Sequence, residues 1–211
     1  MLFNSYEFIF IFLPISFFIY FYLNKKRLTE ASKGFLVFSS LFFYSWWNIA
    51  YLPLILSSML FNYVLGKTLA KSAEEDGLIK KRKQVSRKSI LTIGVVANLG
   101  ILACFKYTDF LIENINYAFH SNISLLNLAL PLAISFFTFQ QIAYLVDSYR
   151  RETKEYDFLN YAIFVTFFPQ LIAGPIVHHK EMMPQFEDVS NKIKNYKHIS
   201  MGIFIFSIGL F

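Results

Sequence analysis

Charged residues are scarce in this chain. Lysine, arginine, aspartate and glutamate make up 16% of its 211 residues, whereas an ordinary soluble domain carries about 25%. Charge keeps the surface of a soluble protein in water, and here 55% of the residues are hydrophobic instead. The composition therefore excludes a soluble globular domain and indicates an integral membrane protein with several α-helical spans.

Cysteine and the motifs of soluble enzymes are almost absent. Cys104 is the single cysteine, so no intramolecular disulfide can form. The sequence contains no phosphate-binding loop, no dinucleotide fingerprint, and neither a Gly-x-Ser-x-Gly nor a His-Glu-x-x-His motif. No third ligand is spaced near His178 and His179, so neither a metal site nor a bound cofactor is expected. Any chemistry must use polar residues at membrane depth, which are costly there and often functional.

The apolar runs are spaced as membrane helices are. A hydrocarbon core about 30 Å thick needs about 20 residues per helix. Apolar runs predict five spans, at roughly 6–23, 34–49, 53–66, 89–105 and 128–146. Segment 158–177 is also apolar but is broken by prolines, which favours a re-entrant path over a full crossing. The predicted fold is an all-α, polytopic transmembrane bundle in a single membrane domain, 1–211, with about five or six spans plus the broken segment.

Positive charge is concentrated in short loops between the apolar runs. Loops 24–33 and 67–88 carry most of it, so both are predicted to be cytoplasmic and the N-terminus to lie outside. Because the bases lie in such loops, a lipid bilayer is the expected partner and nucleic acid is not. The last run, 199–211, is too short to span and is interpreted as the truncated start of a further helix.

One helix face of the fifth predicted span is polar. Gln140, Tyr144, Asp147 and Arg151 follow an i, i+4, i+7, i+11 spacing, which puts them on one side of a helix. An amide buried without a partner costs about 2–7 kcal/mol, so this face must meet protein or water. Two interpretations stand side by side: an interhelical hydrogen-bond seam, or the wall of a substrate funnel.

The broken segment brings further polar residues to membrane depth. Proline restricts the residue before it to extended conformations, so Gly174 is expected to end regular helix before Pro175. Gln170 and His178 flank this breakpoint. Histidine is the usual general base near neutral pH, but the adjacent His178 and His179 would point in different directions. An interfacial or hydrogen-bonding histidine pair is therefore the alternative to a functional one.

Four stretches of the chain resemble membrane-bound O-acyltransferases. They are LFFYSWWN at 41–48, FKYTDF at 105–110, LPLAISFFTFQQIAYLVD at 130–147 and FFPQLIAGPI at 167–176. The order matches the N-terminal half of the bacterial branch that contains the alginate O-acetyltransferase membrane subunit and the D-alanyl transfer protein of teichoic acid. The third and fourth stretches together are the most specific part of the resemblance.

The resemblance implies a helical bundle with a funnel toward a catalytic centre in the bacterial inner membrane. An acyl group, here expected to be acetyl, would pass from a cytoplasmic thioester donor, acetyl-CoA or acyl carrier protein, toward a hydroxyl of cell-surface polysaccharide. A cytoplasmic acyl carrier and a periplasmic or extracellular acetyltransferase are the partners it implies. A transporter or channel component, and a noncatalytic membrane scaffold, are the alternatives. Broken helices suit a transporter, but the chain shows no internal repeat.

The resemblance assigns funnel residues but no catalytic residue. The essential histidine of the family lies in its second half, so it is expected beyond Phe211. The chain is therefore interpreted as an N-terminal fragment, a split gene product or a truncated reading frame, and it is expected to be inactive alone. The residues expected to shape the funnel are Gln140, Gln141, Tyr144, Asp147, Gln170, Gly174, Pro175 and His178.

Overall fold

The computed structural model describes residues 1–75, 87–152, 157–172, 174 and 177–210, without the side chains of 71–75. Every regular element in these residues is helical, which confirms the all-α class. A π-helical turn at Phe8–Phe12 and 3-10 turns at Ile49–Tyr51 and Val189–Lys192 accompany the α-helices. In chain order the α-helices are α1 (Leu13–Lys25), α2 (Thr29–Ser45), α3 (Leu52–Glu75), α4 (Arg87–Phe119), α5 (Ile134–Arg150), α6 (Phe158–Thr166), α7 (Phe168–Leu171), α8 (His179–Glu187) and α9 (Tyr196–Leu210).

Three helical stretches in the described residues are long and apolar enough to cross a membrane: Phe8–Lys25, Ile49–Ala70 and Arg87–Phe119. Only 17% of the most apolar part of the third is buried within the protein, so most of its surface is left for lipid. Helices α2 and α5 have 17 residues each, at the lower limit of the about 17–25 that span a bilayer. The chain is a membrane protein, and a total of five or six spans stays a prediction.

Several helices are longer than predicted. Helix α3 continues past position 66 to Glu75, and α4 continues past 105 to Phe119. Both extensions carry lysine, glutamate or alanine, which favour helix in water as well as in lipid. The predicted basic loop 67–88 is therefore too long at both ends, and its centre, 76–86, lies outside the described residues. Helix α5 also extends past the predicted span end at 146 to Arg150, so Asp147 lies within the helix.

The helices pack around α5, which contacts α3 and α4, while α2 lies against α1 and α6. The approach of α3 to α5 is close at Gly66. A Cβ added there would lie 2.3 Å from Cε1 of Tyr144, so only glycine leaves room for the ring. Small residues allow helix backbones to approach in membranes in this way.

The predicted break in 158–177 lies at Phe167, between α6 and α7. Its φ of −48° and ψ of 108° leave the helical region, and Pro169 two residues later has no N–H to continue the ladder. The ring of Phe168, just after the break, lies 5.1 Å from Phe12 and 5.6 Å from Phe43, centroid to centroid. These rings hold the start of α7 against the π-helical turn and α2. Re-entry of the segment into the membrane stays a prediction.

Geometry of the candidate funnel residues

Asp147 and His178 meet where α5 ends and α8 begins. The Asp147 carboxylate is 1% exposed, and its Oδ1 lies 3.0 Å from Nδ1 of His178. Its Oδ2 accepts the backbone N–H of His179 at 3.3 Å. A buried charge is tolerated when it is paired and hydrogen-bonded, and both contacts come from the start of α8. Since the His178 side chain is 48% exposed, the pair joins a buried acid to a solvent-reachable imidazole.

An ion pair joins the same two helix ends at the surface. Nζ of Lys180 lies 2.6 Å from Oε2 of Glu152. The hydrogen bond from Lys180 holds the pKa of the Glu152 carboxyl below its ordinary value, and the same bond raises the pKa of the Lys180 ammonium. The two pairs together hold α8 across the end of α5.

Gln140, Gln170 and Gly174 line one small cavity. Its volume is about 10 Å³, enough for about one water molecule. Gln140 is buried and donates from Nε2 to the backbone carbonyl of Phe164 at 3.4 Å. The N–H of Gly174 donates to the carbonyl of Gln170 at 2.9 Å. The structure thus brings together three predicted funnel residues that are up to 34 positions apart in the sequence, while Pro175 lies outside the described residues.

Gln170 also lines a much larger, open cavity of about 490 Å³ between α1, α2, α7 and α8. That volume is within the about 300–1,000 Å³ of ordinary small-molecule sites. Most of its wall is apolar, and its polar groups converge from four parts of the chain: Ser16, Tyr20, Gln170, Gln185 and Asn191. The cavity can therefore take an elongated, largely apolar group with a few hydrogen-bonding atoms.

Gln141 points to the other side of α5, into a buried polar network with α3 and α4. Its Oε1 accepts hydrogen bonds from the Ser58 hydroxyl at 2.9 Å and from Nδ2 of Asn62. Nδ2 of Asn98 donates to Oδ1 of Asn62 at 2.6 Å and to the carbonyl of Gly94 at 2.7 Å. Ser58, Asn62, Asn98 and Gln141 are all buried, so the network pins three helices at one depth.

Tyr144 belongs to an aromatic contact and not to an open wall. Its ring centroid lies 4.5 Å from that of Tyr161 and 6.1 Å from that of His179, and it is 1% exposed. Arg151, by contrast, is exposed and has a left-handed backbone at the end of α5. The polar face predicted for α5 is buried as far as Asp147 and ends there, before Arg151.

Several contributors to these contacts were not singled out in the sequence. Asn62 and Asn98 form the centre of the polar network, and Ser40 accepts the N–H of Phe168 at 3.2 Å. A signal existed for the asparagines, because an amide in mid-span needs a partner. Serine is common in membrane helices, so Ser40 had no comparable signal. In the described residues, no group of three or more histidine, cysteine, aspartate or glutamate side chains could hold a metal ion.

Comparison with known proteins gives the wider context of these residues. The peptidoglycan O-acetyltransferase of Helicobacter pylori is 44% identical in an alignment that covers 100% of this chain and 43% of that protein. The probable alginate O-acetylases AlgI of Pseudomonas aeruginosa and Azotobacter vinelandii are 32% and 33% identical, over 93% of this chain and 36% and 38% of theirs. The chain thus spans less than half the length of these relatives. No solved structure matches it.

A family match extends over most of the chain. A model of the membrane-bound O-acyltransferase family matches residues 41–211, which include α3 to α9 and every candidate funnel residue. The similarity therefore covers α5 and α8, where Asp147 meets His178, and α7, where Gln170 lines the large cavity. The chain belongs to the membrane-bound O-acyltransferase family.

Proposed function

We propose that this chain forms part of an enzyme that transfers an acetyl group from a cytoplasmic thioester to a hydroxyl of a cell-surface glycan. Family membership supports the reaction class, and relatives named for peptidoglycan and alginate support a polysaccharide acceptor. The observation that carries the proposal is the 490 Å³ cavity bounded by the broken segment. It provides a largely apolar space with a few polar groups. Gln170 lies on its wall, and the Gln170 backbone N–H donates to the carbonyl of Phe167.

Peptidoglycan is the acceptor that we favour. The relative with that name aligns with the whole chain at 44% identity, whereas the two alginate O-acetylases share 32% and 33%. The positive charge of loop 24–33 supports a cytoplasmic location for the end of α1 that precedes it, by the positive-inside rule. The thioester would then approach from the end of α5 that carries Arg150, and the glycan from the other side. A periplasmic partner would complete the transfer of the acetyl group to the glycan.

The reaction itself needs a base, a nucleophile and a leaving group. The acceptor hydroxyl attacks the thioester carbonyl, a histidine takes the hydroxyl proton, and the thiol departs. The family resemblance implies a histidine in a later segment for this step, so neither His178 nor His179 is assigned to it. The residues described here would bind and orient: Gln170 at the cavity wall, and Asp147 by holding the start of α8.

The test uses a full-length enzyme reconstituted in liposomes with labelled acetyl-CoA and peptidoglycan fragments. We expect labelled ester on the glycan, and a lower rate for Asp147→Ala at equal membrane insertion. Glu113→Gln on the exposed surface of α4 is the matched control and should leave the rate unchanged. Normal transfer by Asp147→Ala would remove Asp147 from the site.

The same liposomes separate the enzyme from the transporter alternative. A transporter would move solute across the bilayer without forming a new ester. The preparations to compare contain acceptor, donor and a periplasmic partner. If all of them move solute but form no ester, the proposed function is overturned.

A further inference from the structure

The break at Phe167 releases two buried backbone groups. In a continuous α-helix the N–H of Phe168 would donate to the carbonyl of Phe164. The extended conformation of Phe167 separates these two groups, and both residues are buried, at 1% exposure for Phe164 and 5% for Phe168. Buried backbone groups need partners, and inside a membrane no bulk water supplies them.

Two side chains from different helices replace that lost hydrogen bond. Oγ of Ser40, in α2, accepts the N–H of Phe168 at 3.2 Å. Nε2 of Gln140, in α5, donates to the carbonyl of Phe164 at 3.4 Å. Ser40 is 1% exposed and Gln140 6%, so water does not compete for either bond. The two sides of the break are therefore held by two separate helices.

The position of the cavity wall depends on this arrangement. Gln170 lies two residues after Phe168 and lines both the small cavity and the large one. The N–H groups of Gln170 and Leu171 both donate to the carbonyl of Phe167 at 2.9 Å. The short helix α7 thus continues rigidly from the point that Ser40 holds. A shift at the break would move Gln170 relative to the 490 Å³ space.

We propose that Ser40 and Gln140 are positioning residues for acyl transfer, which together fix the helix break and hence the Gln170 wall of the open cavity. The inference rests on the proposed function for its kinetic part only. Neither residue needs to touch the substrate, because each acts through the backbone of the broken segment. Ser40 acts on the N–H side of the break and Gln140 on the carbonyl side.

The kinetic test compares Ser40→Ala with Ser40→Thr and Ser39→Ala in the full-length enzyme. Ser39 is a buried neighbour in the same helix and borders a different cavity, so it is a matched control. Ser40→Ala should lower kcat by about 10- to 100-fold, the usual effect of small displacements at a site, with little change in KM for acetyl-CoA. Threonine keeps the acceptor oxygen and should restore most of the rate.

Gln140→Met tests the other side of the break with a similar side-chain volume and no N–H donor. It should reproduce the loss of kcat, whether or not Ser40→Ala reaches the membrane. An equal loss in Ser39→Ala and Ser40→Ala would show general damage to α2 and overturn the proposal. Full activity in both Ser40→Ala and Gln140→Met would also overturn it.

A labelling experiment separates this proposal from the proposed function. Gln170→Cys, in a Cys104→Ser background of the full-length protein, is treated with a maleimide, and the labelling rate is measured. The rate should rise severalfold with Ser40→Ala or Gln140→Met and stay constant with Ser39→Ala. That result, together with a lack of acyl transfer by the unsubstituted full-length protein, would leave the positioning role intact and refute the proposed function. Unchanged labelling in both variants would refute the positioning role.

Discussion

Nδ1 of His178 lies 3.0 Å from Oδ1 of Asp147, although 31 residues separate them in the chain. The carboxylate is almost fully buried, whereas nearly half of the imidazole side chain is exposed. Oδ2 of the same carboxylate accepts the His179 backbone N–H. One buried acid therefore holds the first turn of α8, and its removal affects the position of that whole helix.

Removal of this acid should loosen α8 without unfolding the bundle. Asp147→Ala leaves the His178 side chain and the His179 N–H without their acceptor, which typically costs about 1.5–3 kcal/mol for hydrogen bonds to charged groups. Limited proteolysis in detergent should cut near α8 faster than in the wild type. Glu113→Ala removes an exposed carboxylate and should change nothing. Equal cleavage rates for both variants would show that Asp147 does not hold α8.

A methyl group at position 66 should push α3 away from α5. The Cβ of Gly66→Ala would lie 2.3 Å from the Tyr144 ring, and overpacking of this kind costs about 1–3 kcal/mol. Unfolding in mixed micelles measures the loss, and Tyr144→Leu in the same chain should recover part of it. Gly100→Ala in α4 has nothing within 4 Å and should be neutral or slightly stabilising. Equal effects at both glycines would contradict the close approach.

The buried amides of α3 and α4 should be energetically coupled. Asn62→Leu and Asn98→Leu each leave the other amide with fewer partners. Interhelical hydrogen bonds in membranes contribute on average about 0.6 kcal/mol and at most about 1.7, so each variant should lose an amount in this range. The double variant should lose less than the sum of the two, as a double-mutant cycle would show. Strict additivity would argue against the network, and Asn114→Leu on the exposed face is the control.

The surface pair of Glu152 and Lys180 should give a small pH dependence. The pKa of Glu152 is lowered from 4.5 by its hydrogen bond with Lys180, so its stabilisation is complete above pH 4.5 and disappears as the pH falls through the lower, folded-state value. The pKa of Lys180 is raised from 10.5, so its contribution is complete below pH 10.5 and is lost as the pH rises further. Solvent screening keeps both effects small.

Thermal unfolding of Glu152→Gln across pH checks this dependence. The variant should unfold slightly earlier than the wild type at pH 7, and the difference should vanish at acid pH, where Glu152 is protonated in both states. Glu187→Gln removes an exposed carboxylate at the end of α8, away from this ion pair. Its unfolding temperature should not converge with that of the wild type at low pH. A difference that persisted at low pH would assign the effect to something other than the ion pair.

The sequence predicted what depends on local composition. Apolar runs marked the cores of α1 to α5, and Pro169 correctly marked a break in the segment after α5. The helix ends were less predictable. Charged residues of α3 up to Glu75 are compatible with either a loop or a helix that extends beyond the lipid, and only tertiary context separates the two.

Contacts between distant residues were the part that sequence could not supply. Asp147 and His178 were each recognised as candidates, but their pairing depends on how α8 folds back on α5. Gln140 and Gln141 are neighbours with the same chemistry, yet one bonds to the backbone of α6 and the other to side chains of α3. Their different roles follow from a rotation of about 100° between successive helical residues.

The π-helical turn Phe8–Phe12 holds more residues per turn than the α-helix that follows it. Phe8 and Phe12 both contact the ring of Phe168 across this turn. The same residues wound as regular α-helix would turn the segment before them further, by roughly 100°, the rotation of one extra residue. The ring of Phe8 would then face away from α7, although no aromatic residue had been changed. The π winding of this stretch, as well as its aromatic residues, therefore directs Phe8 toward Phe168.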